Sequence, residues 1–255
     1  MSVASEKLAA LRRELEAATA GLAPGVSHFS TGAPAVDGAL GRGLARGAMH
    51  EIHPQACGDA TAAAAFGLAL ALRAAEARPI VWVRQSVIDI EMGGLNGEGL
   101  REFGLDPGRV ILIRPHAAAD VLRAAEEAAR CEPLGAVVIE PWGAPKVLDL
   151  TATRRLALAA ERSGVTLVMV RSGATPTPSA ALTRWEISAA PSAPLEADAP
   201  GGPAFAITLA RARRGAAGGP WRVEWDRDGQ GFRDREAVSR SLAALPSDRP
   251  LPKIA

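Results

Sequence analysis

The stretch HPQACGDATAAAAFGLALAL, residues 53–72, joins a strand-like run, AMHEIH (48–53), to a long alanine-rich helical pattern. Strand, glycine-bearing turn and helix form the setting of a phosphate-binding loop, where backbone N–H groups and a helix N-terminus face an anion. Such a loop reads G-x-x-x-x-G-K-[ST]: glycines let the backbone curl, a lysine neutralises phosphate and a hydroxyl holds Mg²⁺. Here Gly58 stands at the second glycine, but His53 replaces the first, Asp59 the lysine and Ala60 the hydroxyl. Thr61 comes one residue late, a helical step away. A unit charge ~4 Å from another is worth roughly 4 kcal/mol at an effective dielectric near 20. Exchanging lysine for aspartate reverses a contribution of that order, and an exposed helix N-terminus returns only about 0.3–1 kcal/mol. Asp59 itself suits that N-terminus. The expectation is a relic loop filled by its own carboxylate, which caps the helix beginning near Ala60.

Other chemistry-bearing residues read as structural. In His50-Glu51-Ile52-His53 the two histidines are three apart and point to opposite faces of a strand. With no H-E-x-x-H spacing, these are polar groups at the edge of a strand and not a metal site. Ser86, Ser163 and Ser172 lack any G-x-S-x-G turn. Asp89 and Glu91 follow a strand end, where open α/β sheets place ligand crevices, but two carboxylates this close in a loop read as solvated. No catalytic residue, cofactor or metal is expected.

The elements that must position these residues follow from the rest of the chain. PIVWVR (79–84), VILIRP (110–115), AVVIEP (136–141) and TLVMVR (166–171) are short, nearly continuous apolar runs. Helical patterns at 117–130 and 147–163 alternate with them. Strands buried on both faces and alternating with helices imply right-handed crossovers in a mostly parallel sheet. TRWEISA (183–189), AFAITLARAR (204–213) and WRVEWD (221–226) alternate apolar with polar, as half-exposed antiparallel strands do. Leu8, Leu11 and Leu15 share one face of a short N-terminal helix, which packs on the chain's own core or in a neighbour's groove.

The bulk numbers agree with a globular chain. Its 255 residues are 48% hydrophobic and 22% charged, enough to bury a core, which must be aliphatic because Tyr is absent. The net charge of +1 argues against a strongly electrostatic nucleic-acid binder. Cys57 and Cys131 form no C-x-x-C and are expected as free thiols in a reducing compartment. No apolar signal core opens the chain, and no charge-free apolar run reaches ~18 residues, so a cytoplasmic protein without a membrane anchor is expected.

FSTGAPAVDGALGRGLARGAMHEIHP (29–54) resembles the stretch that RecA-type recombinases carry just before and into their nucleotide loop. S-T-G at 30–32, V-D-x-A-L at 36–40, G-x-G-L at 41–44 and E-I at 51–52 fall in order. AVVIEP is similar to the Walker B strand, with Glu140 at its Mg²⁺-supporting position, and ALTRWEI (181–187) to the strand after the second DNA-binding loop. Among RecA-like chains the combination most resembles the ImuA family, which is itself similar to the division inhibitor SulA. The resemblance implies a RecA-like α/β three-layer sandwich with a mostly parallel central sheet, a short N-terminal helix and a small antiparallel C-terminal extension. It implies a non-catalytic accessory role in SOS-induced mutagenic translesion synthesis, beside ImuB and a DnaE-type error-prone polymerase, with RecA a further candidate partner. The family pattern divides the chain into an N-terminal helix (1–24), a core (25–190), C-terminal strands and a helix that bind the partners (191–245), and a loose tail (246–255). Three departures from an active recombinase stand out. Arg84-Gln85-Ser86 replaces the water-activating glutamate, and the segments 141–150 and 171–182 are shorter than the two DNA-binding loops. Hydrolysis is expected to be lost and DNA binding to be weak or indirect; association with a second copy is left open.

Arg211, Arg213, Arg214 and Arg222 interleave with Trp221, Trp225 and Phe232 in the most basic part of the chain. Arginines with rings suit a protein interface or single-stranded nucleic acid. Acidic residues such as Glu224, Asp226 and Asp234 dilute the charge and favour protein. Trp221, Val223 and Trp225 share a strand face. If it packs inward, the arginines on the other face are left for the partner; if outward, the tryptophans are the anchors. Three functions stay open: the polymerase adaptor, a SulA-like inhibitor binding the division GTPase FtsZ, and a residual ATPase or recombinase.

Overall fold

The computed structural model describes residues 27–199, 201–213 and 217–235. Leu8, Leu11, Leu15 and Arg214, the expected N-terminal helix and the tail lie outside the described residues. The chain builds one nine-stranded sheet of order β11-β10-β9-β8-β3-β7-β6-β4-β5. Its apolar runs form β3 (Met49–Pro54), β4 (Ile80–Arg84), β5 (Val110–Ile113), β6 (Ala136–Glu140) and β7 (Thr166–Val170). β4, β6 and β7 are buried throughout, as strands covered on both faces must be. β5 is the sheet's edge, with Ile111 exposed. A separate two-stranded pair, β1 (His28–Phe29) and β2 (Leu44–Ala45), brackets helix α1 (Pro34–Leu40).

β8 (Thr183–Ala190) departs from the antiparallel expectation: it runs parallel to β3 and antiparallel to β9. Alternation of burial reports which faces are covered, not which way a neighbour runs. β9 (Ala204–Ala212), β10 (Gly218–Asp226) and a short β11 (Gly231–Asp234) extend the sheet antiparallel. Helix α2 (Ala60–Ala75) covers one face, short α3 (Val87–Met92) and α4 (Gly97–Glu102) follow β4, and α5 (Ala118–Ala129) and α6 (Leu150–Ser163) cover the other face. The arrangement is an α/β/α sandwich. Cys57–Ala75 is long and apolar enough to cross a membrane, but it is the core helix, with Ala63, Phe66 and Leu70 buried against the sheet. Gly67 lets it approach: a Cβ there would stand 2.9 Å from Val170 Cγ2 and 3.2 Å from Ile52 Cδ1.

The strand residues His50, Glu51 and His53 are not edge groups. β3 is the central strand, and all three side chains are buried. His50 is placed by a one-way chain of hydrogen bonds. Its Nε2 lies 2.9 Å from the Ala45 carbonyl, which only accepts, so Nε2 carries the proton and Nδ1 accepts from Thr183 Oγ1 at 2.8 Å. Thr183 Oγ1 in turn accepts from Trp185 Nε1 at 3.0 Å. Every polar atom in the chain is used by the neutral ring. Burial, only partly opposed by the Ala45 carbonyl, lowers the His50 pKa from 6.5 to about 4.

That depression sets an acid limb. The unfolded chain protonates His50 near pH 6.5 and the folded chain only near 4, so stability falls as pH drops through this window. The loss is on the order of 3 kcal/mol. Urea denaturation from pH 7 to 4 should record it, and His50→Gln should flatten the slope between pH 6.5 and 4. An unchanged slope in the variant would remove His50 from this role.

Candidate functional site: the loop after β3 and the charged strand ends

Between β3 and α2 the chain makes one short turn, Cys57–Asp59, with Cys57 and Gly58 exposed. Asp59 does not cap α2, contrary to expectation: its carboxylate accepts nothing from the helix's first turn. Instead Oδ2 accepts from Ala56 N at 3.2 Å and Oδ1 from Ala189 N, on β8, at 2.9 Å. Gln55 N also donates to Ile187 O at 2.8 Å, so the loop is stitched to β8 on both sides of its bend. The Asp59 carboxylate faces the neighbouring strand. Ala60 is buried, Thr61 points to solvent, and His53 lies buried on the opposite face of the sheet from α2.

The ends of β4 and β6 meet beside it. Glu140 Oε2 accepts from Trp82 Nε1 at 2.7 Å and pairs with Arg84 Nε at 3.1 Å. Arg84 Nη1 reaches Asp89 Oδ1 at 3.1 Å, and Arg114 Nε reaches Asp89 Oδ2 at 3.4 Å. Asp89, expected to be solvated, is therefore held between two guanidiniums and lies in α3, not a loop. Burial raises the Glu140 pKa above the ordinary carboxyl value, against the opposing Arg84 charge and Trp82 N–H. Gln85 stands where an active recombinase is expected to keep its catalytic glutamate. Its amide is spent on the backbone: Nε2 donates to His116 O and Oε1 accepts from Trp142 N, each at 2.9 Å. It fastens two crevice loops together.

On the other face, Glu51 is gripped by Arg184, whose Nη2 and Nε stand 2.7 and 2.9 Å from Oε2. Ser179 Oγ donates to the same oxygen at 2.8 Å, and Arg171 Nη1 lies 3.4 Å from Oε1. Burial works against charge on Glu51, but His53 (Nε2 3.8 Å away), Arg184 and Ser179 outweigh it and lower the pKa to about 2. Among the described residues no group of three or more His, Cys, Asp or Glu side chains could hold a metal. Cys57 and Cys131 are free and exposed.

The C-terminal rings answer the open question of β10. Its tryptophan face turns inward. Trp225 and Phe232, expected among the docking residues, are each 2% exposed and cannot anchor a partner. Trp225 stacks on Phe103 with centroids 5.1 Å apart and donates from Nε1 to Phe103 O at 2.8 Å. Phe232 packs on Phe66 of α2. Trp221 is half-buried against Trp185, whereas Arg213, Arg222 and Arg233 are exposed. Sequence reasoning passed over Arg171 and Arg184, and it gave Arg84 and Glu51 no charged partner. A charge inside or directly after an otherwise apolar strand was the available signal.

Two variants separate these roles. Asp59→Ala should cost about 1 kcal/mol, because Ala56 N and Ala189 N, both at exposed positions, exchange the carboxylate for water. Glu51→Gln should cost more, about 3–5 kcal/mol, because buried Arg171 and Arg184 lose their counter-charge. Denaturation midpoints at pH 7 would check both; equal, negligible shifts would contradict the geometry.

No protein-family model matches the chain. The crystal structure of the RadB recombinase superposes with a TM-score of 0.52 at 15% identity, covering 82% of this chain and all of that one. That likeness speaks for the fold, which is RecA-like. Two curated relatives named Protein ImuA, from Caulobacter vibrioides strains NA1000 / CB15N and ATCC 19089 / CIP 103742 / CB 15, are 34% identical over 228 residues. Each alignment spans 83% of this chain and 89% of the relative. Identity at that level, sustained across most of both sequences and set on a RecA-like sheet, means that the chain belongs to the ImuA family.

Proposed function

We propose that this protein is a non-catalytic RecA-like accessory factor of damage-induced mutagenic translesion synthesis, an adaptor for ImuB and a DnaE-type error-prone polymerase. Family membership supports the pathway. One observation carries the non-catalytic reading: Asp59 occupies the lysine position of a nucleotide loop and commits its carboxylate to Ala56 N and Ala189 N. A phosphate entering there would meet a negative charge. Gln85 and Glu140 agree with that reading, since both are engaged by neighbouring residues.

The docking surface follows from the inward turn of Trp225 and Phe232. Exposed rings are not on offer there, so the partner meets the outward, arginine-bearing face of β10 and β11. Arg222 is exposed on it, Arg233 pairs with Asp226, and Arg235 pairs with Glu224 at 3.3 Å. Removing everything after Pro203 would not test this, because Phe205, Ile207, Val223, Trp225 and Phe232 belong to the core. Charge reversal at exposed positions keeps the core intact.

Titration with Mg·ATP should show no micromolar binding, and phosphate release should stay at background, including for Asp59→Lys combined with Ala60→Thr. Turnover in either protein would overturn the non-catalytic reading. In a pull-down from DNA-damaged cells, the protein should recover ImuB and the polymerase, and Arg213→Glu with Arg222→Glu should reduce that recovery about tenfold or more at an unchanged melting temperature. Recovery of FtsZ in their place would favour the SulA-like role, and full ImuB recovery by the folded double variant would move the interface elsewhere.

A further inference from the structure

The face of the sheet under α5 and α6 carries more positive charge than it neutralises. Arg171, Arg184 and Arg211 gather around the segment 177–181, with Arg211 Nη2 donating to Ser179 O and Ala181 O at 3.2 and 3.0 Å. Among the described carboxylates, Glu51 alone pairs with Arg171 and Arg184. Burial lowers the pKa of Arg171 and of Arg211; the Glu51 charge opposes the shift on both, and the Arg184 charge adds to it. Polar atoms are also left over: Arg171 Nε, Arg211 Nε, Ser172 Oγ and both ring nitrogens of His53 are buried without a hydrogen-bond partner. A buried donor left unmade costs about 1–3 kcal/mol. Such donors suit a water or an acidic ligand equally well in chemistry, and the space beside Arg171 decides between them.

A pocket of about 390 Å³ opens directly above Arg171. Pro145, Leu148, Leu150 and Pro178 wall it, Lys146 stands at its rim, and Arg171, 2% exposed, lines its floor. Helix α6 begins at Leu150 beside it, with its end capped by Asp149, whose Oδ1 accepts from Ala152 N at 2.7 Å. Exposed Val147 and half-covered Leu150 add an apolar lip. The cationic floor and aliphatic walls define the chemistry of what would fit.

We propose that this pocket binds a carboxylate presented beside an aliphatic side chain, as at an acidic–apolar segment of a protein partner. A guanidinium fork matches a carboxylate in shape and charge. A nucleic-acid backbone fits less well. It needs a track of cations and aromatic rings for its bases, whereas no aromatic ring lines the pocket. The inference goes beyond the adaptor reading and does not depend on which protein supplies the segment.

The test uses the full chain and three probes: N-acetyl-leucine, N-acetyl-leucinamide and a thymidine 20-mer. ¹⁵N side-chain NMR would follow the Arg171 Nε–H and the indole of Trp142, whose ring lies against Gly173 next to the pocket. N-acetyl-leucine should shift both resonances and bind about tenfold more tightly than the amide, a difference of roughly 1.4 kcal/mol. Lys146→Glu, a rim change that leaves the core intact, should weaken the acid at least threefold at an unchanged melting temperature. Equal affinity for acid and amide would overturn the proposal, as would silence of Arg171 up to roughly 50 mM acid. Displacement of N-acetyl-leucine by micromolar oligonucleotide would assign the pocket to a phosphate backbone and overturn it as well. Failure of the adaptor reading would register separately, in the pull-down with the Arg213 and Arg222 changes.

Discussion

Everything at the candidate site depends on how closely α2 lies on the sheet. Gly67 sets that distance, since a single added carbon would collide with Val170 and Ile52. Around it the helix presents alanine and leucine to the strands and Phe66 to a cluster of rings from Trp185, Phe205 and Phe232. Each buried large side chain contributes about 1.5–3 kcal/mol. With the helix fixed from its middle, the turn that precedes it is fixed too. The loop's course is thus set by packing, and its Asp59 carboxylate binds Ala56 N and Ala189 N.

The same replacement recurs along the carboxyl ends of the parallel strands. In an open α/β sheet this edge is where ligands bind. Here Asp59 ties β3 to β8, Gln85 ties the loops after β5 and β6, and Arg84 bridges Glu140 and Asp89. Each bond spends, on the protein itself, a group that could have faced a ligand. Buried polar atoms without a hydrogen-bond partner remain at both places, Glu140 Oε1 and Arg84 Nε at the ends of β4 and β6, Arg171 Nε and Arg211 Nε around Glu51. Around Glu51, on the face away from α2, two arginines share one carboxylate.

Much of this was legible in the sequence, and the reasons for the rest are specific. Runs such as IVWVR, AVVIE and TLVMV announce buried parallel strands because both of their faces are apolar. The changed loop was readable because the lysine and hydroxyl positions are fixed by spacing. The target of Asp59 was not: a local rule favours the nearest N–H groups, and the actual donor, Ala189, lies 130 residues away. Glu51 is the same case, since Arg171 and Arg184 come from 120 and 133 residues downstream. A charge in a central strand signals that a partner exists without naming it. β11 escaped notice because four residues with one ring carry too little periodicity.

The C-terminal strands show how a misjudged face changes a functional argument. Composition offers Trp221, Trp225 and Phe232 as interface anchors, since rings and arginines are enriched there in protein contacts. Their spacing allows either face, and the choice is made by α2 and the segment 103–105, which need covering. Once Trp225 stacks on Phe103 and Phe232 on Phe66, the extension is part of the core. Antiparallel strands added beyond β8 thus do two jobs at once. Their inner face completes the hydrophobic layer that α2 is too narrow to cover, and their outer face is left charged by the same alternation. A partner surface on β10 and β11 would then be a direct consequence of closing the core.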